Sequence, residues 1–265
     1  MLHAALAALA LLTAAPLLWM VSASFMSPGE SSNFPPPLLP AHPTLANYAA
    51  LFSRLQLARN FLNSLLIAGV GTAVSVIVNA MAGYSFAKLR FRGRDRLFQL
   101  LVVALVVPTQ VGMLPLFLQL KAMGLVNTPL GVMIPYLSSV LGIFMVRQYA
   151  LSIPDELLDA ARIDGAGEYR IFFGIVLPVI QPILVTLTLF SFLSAWNDFL
   201  WPLIVLRDAS RFTLPVALAS LAGEHIQDAE LMMAGAVLTV LPVVITFLVL
   251  QRFYTEGVMR GSLKG

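Results

Sequence analysis

DAARIDGAGEYRIFFGIVLP, residues 159–178, is a charged, helix-prone island between long apolar runs. Its order is Asp159-Ala160-Ala161, three residues, Gly165, nine residues, then Ile175-x-Leu177-Pro178. A polar helical segment inside an otherwise apolar chain suggests a docking surface on one side of a membrane. The meaning of the island therefore depends on what surrounds it.

The chain has 265 residues, of which 59% are hydrophobic and 11% charged, with a mean hydropathy of +0.88. An average soluble domain is about 25% charged, so this chain has too few charges to cover a water-facing surface and reads as an integral membrane protein. The net charge of +3 does not imply nucleic acid as a partner, because the basic residues sit beside apolar runs, where the positive-inside rule puts them. There is no cysteine, which excludes disulfides, thiolate catalysis and Cys-type metal sites.

Six stretches free of Lys, Arg, Asp and Glu come close to or exceed the roughly 20 residues that cross about 30 Å of hydrocarbon. They cover about 2–25, 61–87, 97–120, 128–146, a fifth from 175 or 183 to before 207, and 231–250. The first has no Lys or Arg in its leading residues and is longer than the h-region of a signal peptide, so it is read as a retained span. Only helices and closed barrels satisfy the backbone in lipid, and these runs are far too long for barrel strands. The expected fold is thus an all-α integral membrane protein with six transmembrane helices. Lys88, Arg90, Arg92, Arg94 and Arg96 crowd the connection between the second and third runs. They read as topology anchors that place this connection in the cytoplasm, together with both termini. Arg252, Arg260 and Lys264 agree with that orientation, as do Arg147, Arg162 and Arg170.

The opposite side carries two longer connections. Residues 26–59 contain Phe34-Pro35-Pro36-Pro37 and Pro40, a stiff extended stretch, followed by Thr44 as the N-cap of a short helix through Asn47, Tyr48 and Leu51. Residues 207–230 read as a polar loop with Glu224, His225, Gln227, Asp228 and Glu230, either solvated or docking a partner.

The island itself opens at Pro154, which suits a first helical turn. Asp155 and Glu156 follow, where they complement the positive end of the helix. Leu157, Ala160 and Ala161 fall at i, i+3 and i+4 as one small apolar face. Gly165 permits a sharp turn, and a second short helix leads to Leu177-Pro178. These features fit a helix-turn-helix knob for a cytoplasmic partner, and equally an amphipathic helix lying on headgroups.

With its anchors at Ala160, Ala161, Gly165, Ile175, Leu177 and Pro178, the island resembles the "EAA" signature of permease subunits of ATP-binding-cassette importers, with Asp159 in place of the usual Glu. GYSFAKLRFRGR (83–94), IDGAGE (163–168), SAWNDFLWPL (194–203), FTLPVAL (212–218) and the terminal EGVMRGSLKG are similar to carbohydrate permeases of that family. The resemblance covers nearly the whole chain. It implies one permease domain over 1–265, with a type-I-like core at about 57–255 and an extra N-terminal span at about 2–25. It also implies a cytoplasmic coupling helix between the fourth and fifth spans, with Glu156, Asp159, Ala160, Ala161, Gly165, Leu177 and Pro178 in the ATPase-coupling segment. The implied partners are a second permease subunit in a heterodimer, two ATPase subunits, an extracytoplasmic solute-binding protein, a sugar, and the lipid of a bacterial or archaeal inner membrane. No cofactor is expected in this chain and it is not expected to be an enzyme: ATP belongs to a partner, and no G-x-x-x-x-G-K-[ST] loop is present.

Asn197 and Asp198 form the only strongly polar pair in or beside the fifth run. They either line a pore or sit at the outer interface within an aromatic belt of Trp196 and Trp201. Gln110 is a further candidate cavity-facing donor. Gly69, Gly71 and Gly83 read as sites of close helix packing. Pro108, Pro115 and Pro135 read as kinks, static or mobile. His3, His42 and His225 have no metal-ligand spacing. The alternatives are an importer permease for another polar solute, such as a glycerol phosphate or amino acid, or a self-contained secondary transporter. The latter calls for inverted repeats or buried charges, and neither is evident in the sequence.

Overall fold

A computed structural model describes residues 2–54, 56–224 and 228–262. His225, Gln227 and Lys264 lie outside the described residues, as do the side chains of Glu224, Arg252 and Arg260. No strand occurs among the described residues. The helices, in chain order, are α1 (Leu2–Ala23), α2 (Ala46–Arg54), α3 (Leu57–Lys88), α4 (Arg94–Ala104), α5 (Thr109–Ala122), α6 (Pro129–Met133) and α7 (Val140–Ala150). The second half holds α8 (Asp155–Ile163), α9 (Glu168–Ile171), α10 (Leu177–Val179), α11 (Gln181–Asn197), α12 (Leu200–Val205), α13 (Leu214–Glu224) and α14 (Ala229–Ser262).

Three helical stretches are long and apolar enough to cross a membrane: Ala5–Ala23, Leu57–Lys88 and Ala229–Gln251. The other three apolar runs are broken helix pairs, and counting each pair as one span gives up to six. The break between α4 and α5 turns the chain by 105° and ends at Pro108, which has no N–H to continue a helix. A 42° bend follows the segment containing Pro135, and an 82° bend at Ile180 precedes Pro182. Pro115, by contrast, lies inside α5. The sequence thus located the runs, and its prolines marked two of the three breaks.

The chain folds into two compact units. One comprises residues 1–63 and 208–245, the other 64–207 and 246–265. In the first unit, Asn47 donates to the carbonyls of Ser24 and Met26 at 2.9 and 2.8 Å, satisfying acceptors left over beyond the end of α1. Thr44 Oγ1 accepts the N–H of Ala46 at 3.1 Å, where α2 begins. Asn60 and Asn63 each donate to two carbonyls of residues 209–212. The expected polar loop at 207–230 is largely α13, whose Leu214, Val216, Ala217 and Leu218 are buried. Glu230 is not a loop residue either. It lies in the first turn of α14, is buried, and accepts the Ser31 N–H at 2.7 Å.

The second unit is organised on α3. Its core joins Ala80, Tyr84 and Ala87 of α3 to Val146 and Ala150 of α7, Leu158 of α8, and Ile171, Phe172, Val176, Ile180 and Leu187 further along. Asn79, fully buried, donates to Ser75 Oγ at 2.9 Å and accepts the Ser139 N–H at 3.0 Å, so a polar group inside an apolar helix is satisfied from both sides. Ser139 in turn caps α7 by accepting the Gly142 N–H. Arg147 stacks its guanidinium 4.0 Å above the Phe98 ring and donates to the Phe86 carbonyl.

Gly83 fulfils the expected close packing: a Cβ there would lie 2.6 Å from Val146 Cβ and 2.9 Å from the Arg147 nitrogen. Gly69 and Gly71 do not, since a Cβ on either would meet nothing within 4 Å. Gly83→Ala should therefore overpack the α3–α7 contact and destabilise the fold by about 1–3 kcal/mol. Gly69→Ala, which meets no neighbour inside a helix, should instead stabilise it, by up to about 1 kcal/mol. The midpoint of thermal unfolding in detergent checks both, and equal midpoints for the two variants would contradict the assigned packing.

Candidate functional site

The island is built outward from one buried leucine. Pro154 is extended, α8 starts at Asp155, and Asp155 and Glu156 occupy its first turn. Leu158 is 1% exposed and joins the core around Tyr84 and Ala87; Ala161, one turn on, packs partly against the same core. The face expected from Leu157, Ala160 and Ala161 is therefore divided. Ala161 turns inward with Leu158, whereas Leu157 and Ala160 stay exposed with Glu156, Asp159 and Ile163. Leu158–Ala161 is also an i, i+3 pair, and the large core behind it decides which pair is buried.

The C-terminus of α8 explains Gly165. The Ala166 N–H donates to the Ala161 carbonyl at 2.9 Å and the Gly165 N–H to the Arg162 carbonyl at 3.0 Å, with Gly165 at φ +81°. This is the double closure of a Schellman motif, which needs a left-handed residue at that position. No neighbouring atom crowds Gly165, so its requirement is backbone conformation rather than space.

Two polar links tie the island to α3. Lys88, with a side chain only 6% exposed, donates to Asp155 at 2.7 Å and to the Ile153 carbonyl at 2.6 Å. Arg162 bridges Asp159 and Glu168 at 2.7 and 2.8 Å, and the other oxygen of Glu168 accepts the Tyr84 hydroxyl at 2.9 Å. The Lys88 hydrogen bond, reinforced by its charge, holds the Asp155 carboxyl below the usual carboxylate range. Glu168 and Asp159 push the Arg162 guanidinium up, keeping it firmly cationic. Lys88, expected as a topology anchor, thus also closes the end of α3 onto the island. Arg94 pairs with the adjacent Asp95, while Arg90, Arg92 and Arg96 are exposed. Leu177 packs against the island's core, and Pro178 is exposed beside it. Beyond Gly165 they root the island rather than extend its outer face.

A cavity of about 790 Å³ lies in the same unit, and Gln110, Asn197 and Asp198 all line it. Thr72 and Ser75 of α3, Tyr136, and Ser191 and Ser194 of α11 contribute further polar groups. The carboxylate of Asp198 works on two sides. One oxygen accepts the N–H of Leu200 at 3.0 Å, starting α12 where α11 has ended, and the other accepts the Tyr136 hydroxyl. Trp196 and Trp201 are 1% and 3% exposed, and Trp201 donates to the Gly131 carbonyl. They are core residues, which removes the aromatic-belt placement considered for them. Tyr136 and Glu168 were missed in the sequence as site residues. Glu168 lies within reach of Arg162 along the chain, but nothing local links Tyr136 to an aspartate 62 positions away.

The chain matches, over residues 79–260, the family described as binding-protein-dependent transport system inner membrane component. It is 40% identical over 257 residues to the arabinooligosaccharides transport system permease protein AraQ of Halalkalibacterium halodurans, covering 94% of this chain and 91% of that protein. It is 37% identical to the lactose transport system permease protein LacG of Rhizobium radiobacter (82% and 80% covered). With the diacetylchitobiose uptake system permease protein NgcG of Streptomyces coelicolor it shares 32% identity (99% and 88% covered). Its fold is similar to a chain in the crystal structure of a bacterial ABC transporter that imports the acidic polysaccharide alginate. There the TM-score is 0.83 at 24% identity, over 95% of this chain and 94% of that one. An all-helical chain with up to six membrane-crossing segments, matched over most of its length, is a multi-pass inner-membrane component of the binding-protein-dependent, ATP-binding-cassette transport systems, and it belongs to their permease family.

Proposed function

We propose that this chain forms half of the translocation pore of a sugar or oligosaccharide importer, and that its island, α8 with the Gly165 turn, seats in a cytoplasmic ATPase subunit. Both compact units belong to one permease domain. The 88–96 connection, the island and both termini face the cytoplasm, while residues 26–59 and 207–230 lie on the opposite side, where 207–230 faces the solute-binding protein. A second permease subunit completes the pore, and two ATPase subunits supply the hydrolysis. The observation that carries this reading is the anchoring of α8. Its inner side is fixed to α3 by Leu158, Lys88–Asp155 and Tyr84–Glu168–Arg162, while Glu156, Leu157, Asp159, Ala160 and Ile163 (86% exposed) remain outward. A face that is rigidly backed and still apolar in part suits a protein groove and can transmit a pull.

The same helix reaches the cavity. Thr72 and Ser75 of α3 line it, and Asn79 braces the α7 wall, so displacement of the island at the Tyr84–Lys88 end moves a cavity wall. Hydroxyls, amides and a single carboxylate suit the hydroxyl groups of a neutral polyol, and the relatives' names support an oligosaccharide cargo. Alternating access then follows from the ATPases closing and opening under the island. The most direct test is reconstitution with all partners and a screen of glycans for stimulated ATPase activity; stimulation by none of them would remove the sugar assignment.

A β-branched residue at Gly165 must adopt a left-handed backbone, at a cost of about 1–2 kcal/mol. Gly165→Val should therefore abolish coupled transport and weaken association with the ATPase while membrane insertion persists. Normal substrate-stimulated ATPase activity in this variant would overturn the seating of the island.

Asp198→Ala removes a helix cap and the Tyr136 partner together, and cap loss alone costs about 1 kcal/mol. Uptake kinetics should change more than expression level. Unchanged uptake would take Asp198 out of the pore.

The depressed Asp155 pKa means that the Lys88–Asp155 pair contributes fully above the ordinary carboxylate range and fades as pH falls through the lowered native value. Asp155→Asn should thus lower the unfolding midpoint at neutral pH, and the gap to the parent protein should close in acid, once the native carboxyl is protonated. A gap that persists in acid would rule out the ion pair as its cause.

A further inference from the structure

The connection after α1 contains a segment built for lipid rather than water. Residues 34–41 read FPPPLLPA, with no charged residue and four prolines that have no N–H to satisfy. Of the remaining N–H groups, that of Ala41 is donated to Glu30 at 2.6 Å. The carbonyls of Pro37 and Leu38 accept from Trp19 Nε1 at 3.0 Å and Ser22 Oγ at 2.6 Å. These bonds satisfy part of this non-helical backbone; the N–H groups of Phe34, Leu38 and Leu39 have no protein acceptor among the described residues, so they suit the wet headgroup level rather than dry hydrocarbon.

Those two bonds also fix the depth of the segment. α1 is 22 residues long, and its apolar stretch, left unburied by the rest of the chain up to the buried Ala23, is long enough to cross a membrane. Trp19 and Ser22 lie in its last turns, so the Pro37 carbonyl sits about 6 Å along the axis from the helix end, on the membrane side. At that level Phe34, Leu38 and Leu39 are 99%, 77% and 76% exposed. The root of the segment is tied by Glu30, which also accepts the Ser27 N–H at 2.9 Å, and by the Thr44 N–H donated to the Phe25 carbonyl. The two N–H donors hold the Glu30 carboxyl below its usual range, so it stays ionised at neutral pH. A polar, anchored root therefore carries an apolar, donor-poor tip.

We infer that residues 34–39 form a monotopic lipid-binding loop that inserts Phe34, Leu38 and Leu39 into the headgroup–acyl boundary of the outer leaflet beside α1. Interfacial apolar faces sink about 5–10 Å into that boundary, which matches the level set by Trp19. The occupant is phospholipid, because both anchors, Trp19 and Ser22, lie on a helix whose exposed apolar stretch is long enough to cross a membrane.

The chain has no cysteine, so Leu38→Cys and, separately, Phe34→Cys each offer a single site in it for an environment-sensitive fluorophore. The assembled transporter, with cysteine-free partner subunits, is placed in nanodiscs of phosphatidylethanolamine and phosphatidylglycerol. Aqueous iodide and brominated acyl chains then serve as quenchers. Quenching by the brominated lipid, with iodide quenching several-fold below that of the same fluorophore free in buffer, is the expected result. Iodide quenching equal to that of the free fluorophore would make this a solvated loop and overturn the inference. Protection from both quenchers would show that a protein partner covers the loop, and would equally overturn it. Neither result bears on the coupling role of α8, which is tested separately.

Discussion

An ammonium group withdrawn from water at the end of the 32-residue α3 governs much of this molecule. Lys88 is nearly buried, and the oxygens it finds belong to the segment entering α8: the carbonyls of Leu151 and Ile153 and the carboxylate of Asp155. Leaving such a charge unpaired would cost several kcal/mol, so the end of α3 and the start of the island are held together. Tyr84, one turn earlier, repeats the attachment through Glu168 and Arg162. Each of these exposed-side pairs is worth little alone. Set around the buried Leu158, they define one orientation of a short helix that would be marginal by itself.

α3 also solves a second problem. A helix in lipid has no need of polar side chains, yet this one presents Thr72, Ser75 and Asn79 at helical spacing, with Tyr84 on another side further along. Ser75 and Asn79 satisfy one another and the start of α7; Tyr84 reaches the island. Polar groups on one rigid element thus reach from the cavity to α8.

Much of this was legible in the sequence. The absence of charge over six long runs fixed the class, and the anchor spacing around Gly165 located a turn whose left-handed backbone the structure displays. Gln110, Asn197 and Asp198, chosen only as polar residues in apolar surroundings, line one cavity. What could not be read depends on distance along the chain or on local rotation. The inward turn of Ala161 is set by a core assembled from α3, α7 and α9, and no periodicity within α8 distinguishes it from Ala160. The burial of Trp196 and Trp201 depends on how the chain packs either side of the break at Asp198, and tryptophan next to a polar pair reads equally well as an interface. Glu230, in a charged stretch, gave no sign of a partner at Ser31, 199 positions away.

The double engagement of Asp198 bears on how relatives of this protein diverge. One oxygen begins α12 and the other holds Tyr136, so the residue that gives the cavity its charge also sets the path of the chain. A substitution at this position would alter the charge of the cavity and the path of the backbone together. Gln110 and Asn197 carry no comparable duty: both are exposed to the cavity, one near the start of α5 and the other at the end of α11. Either of those two could be exchanged with the wall of the cavity left standing, whereas the aspartate could not.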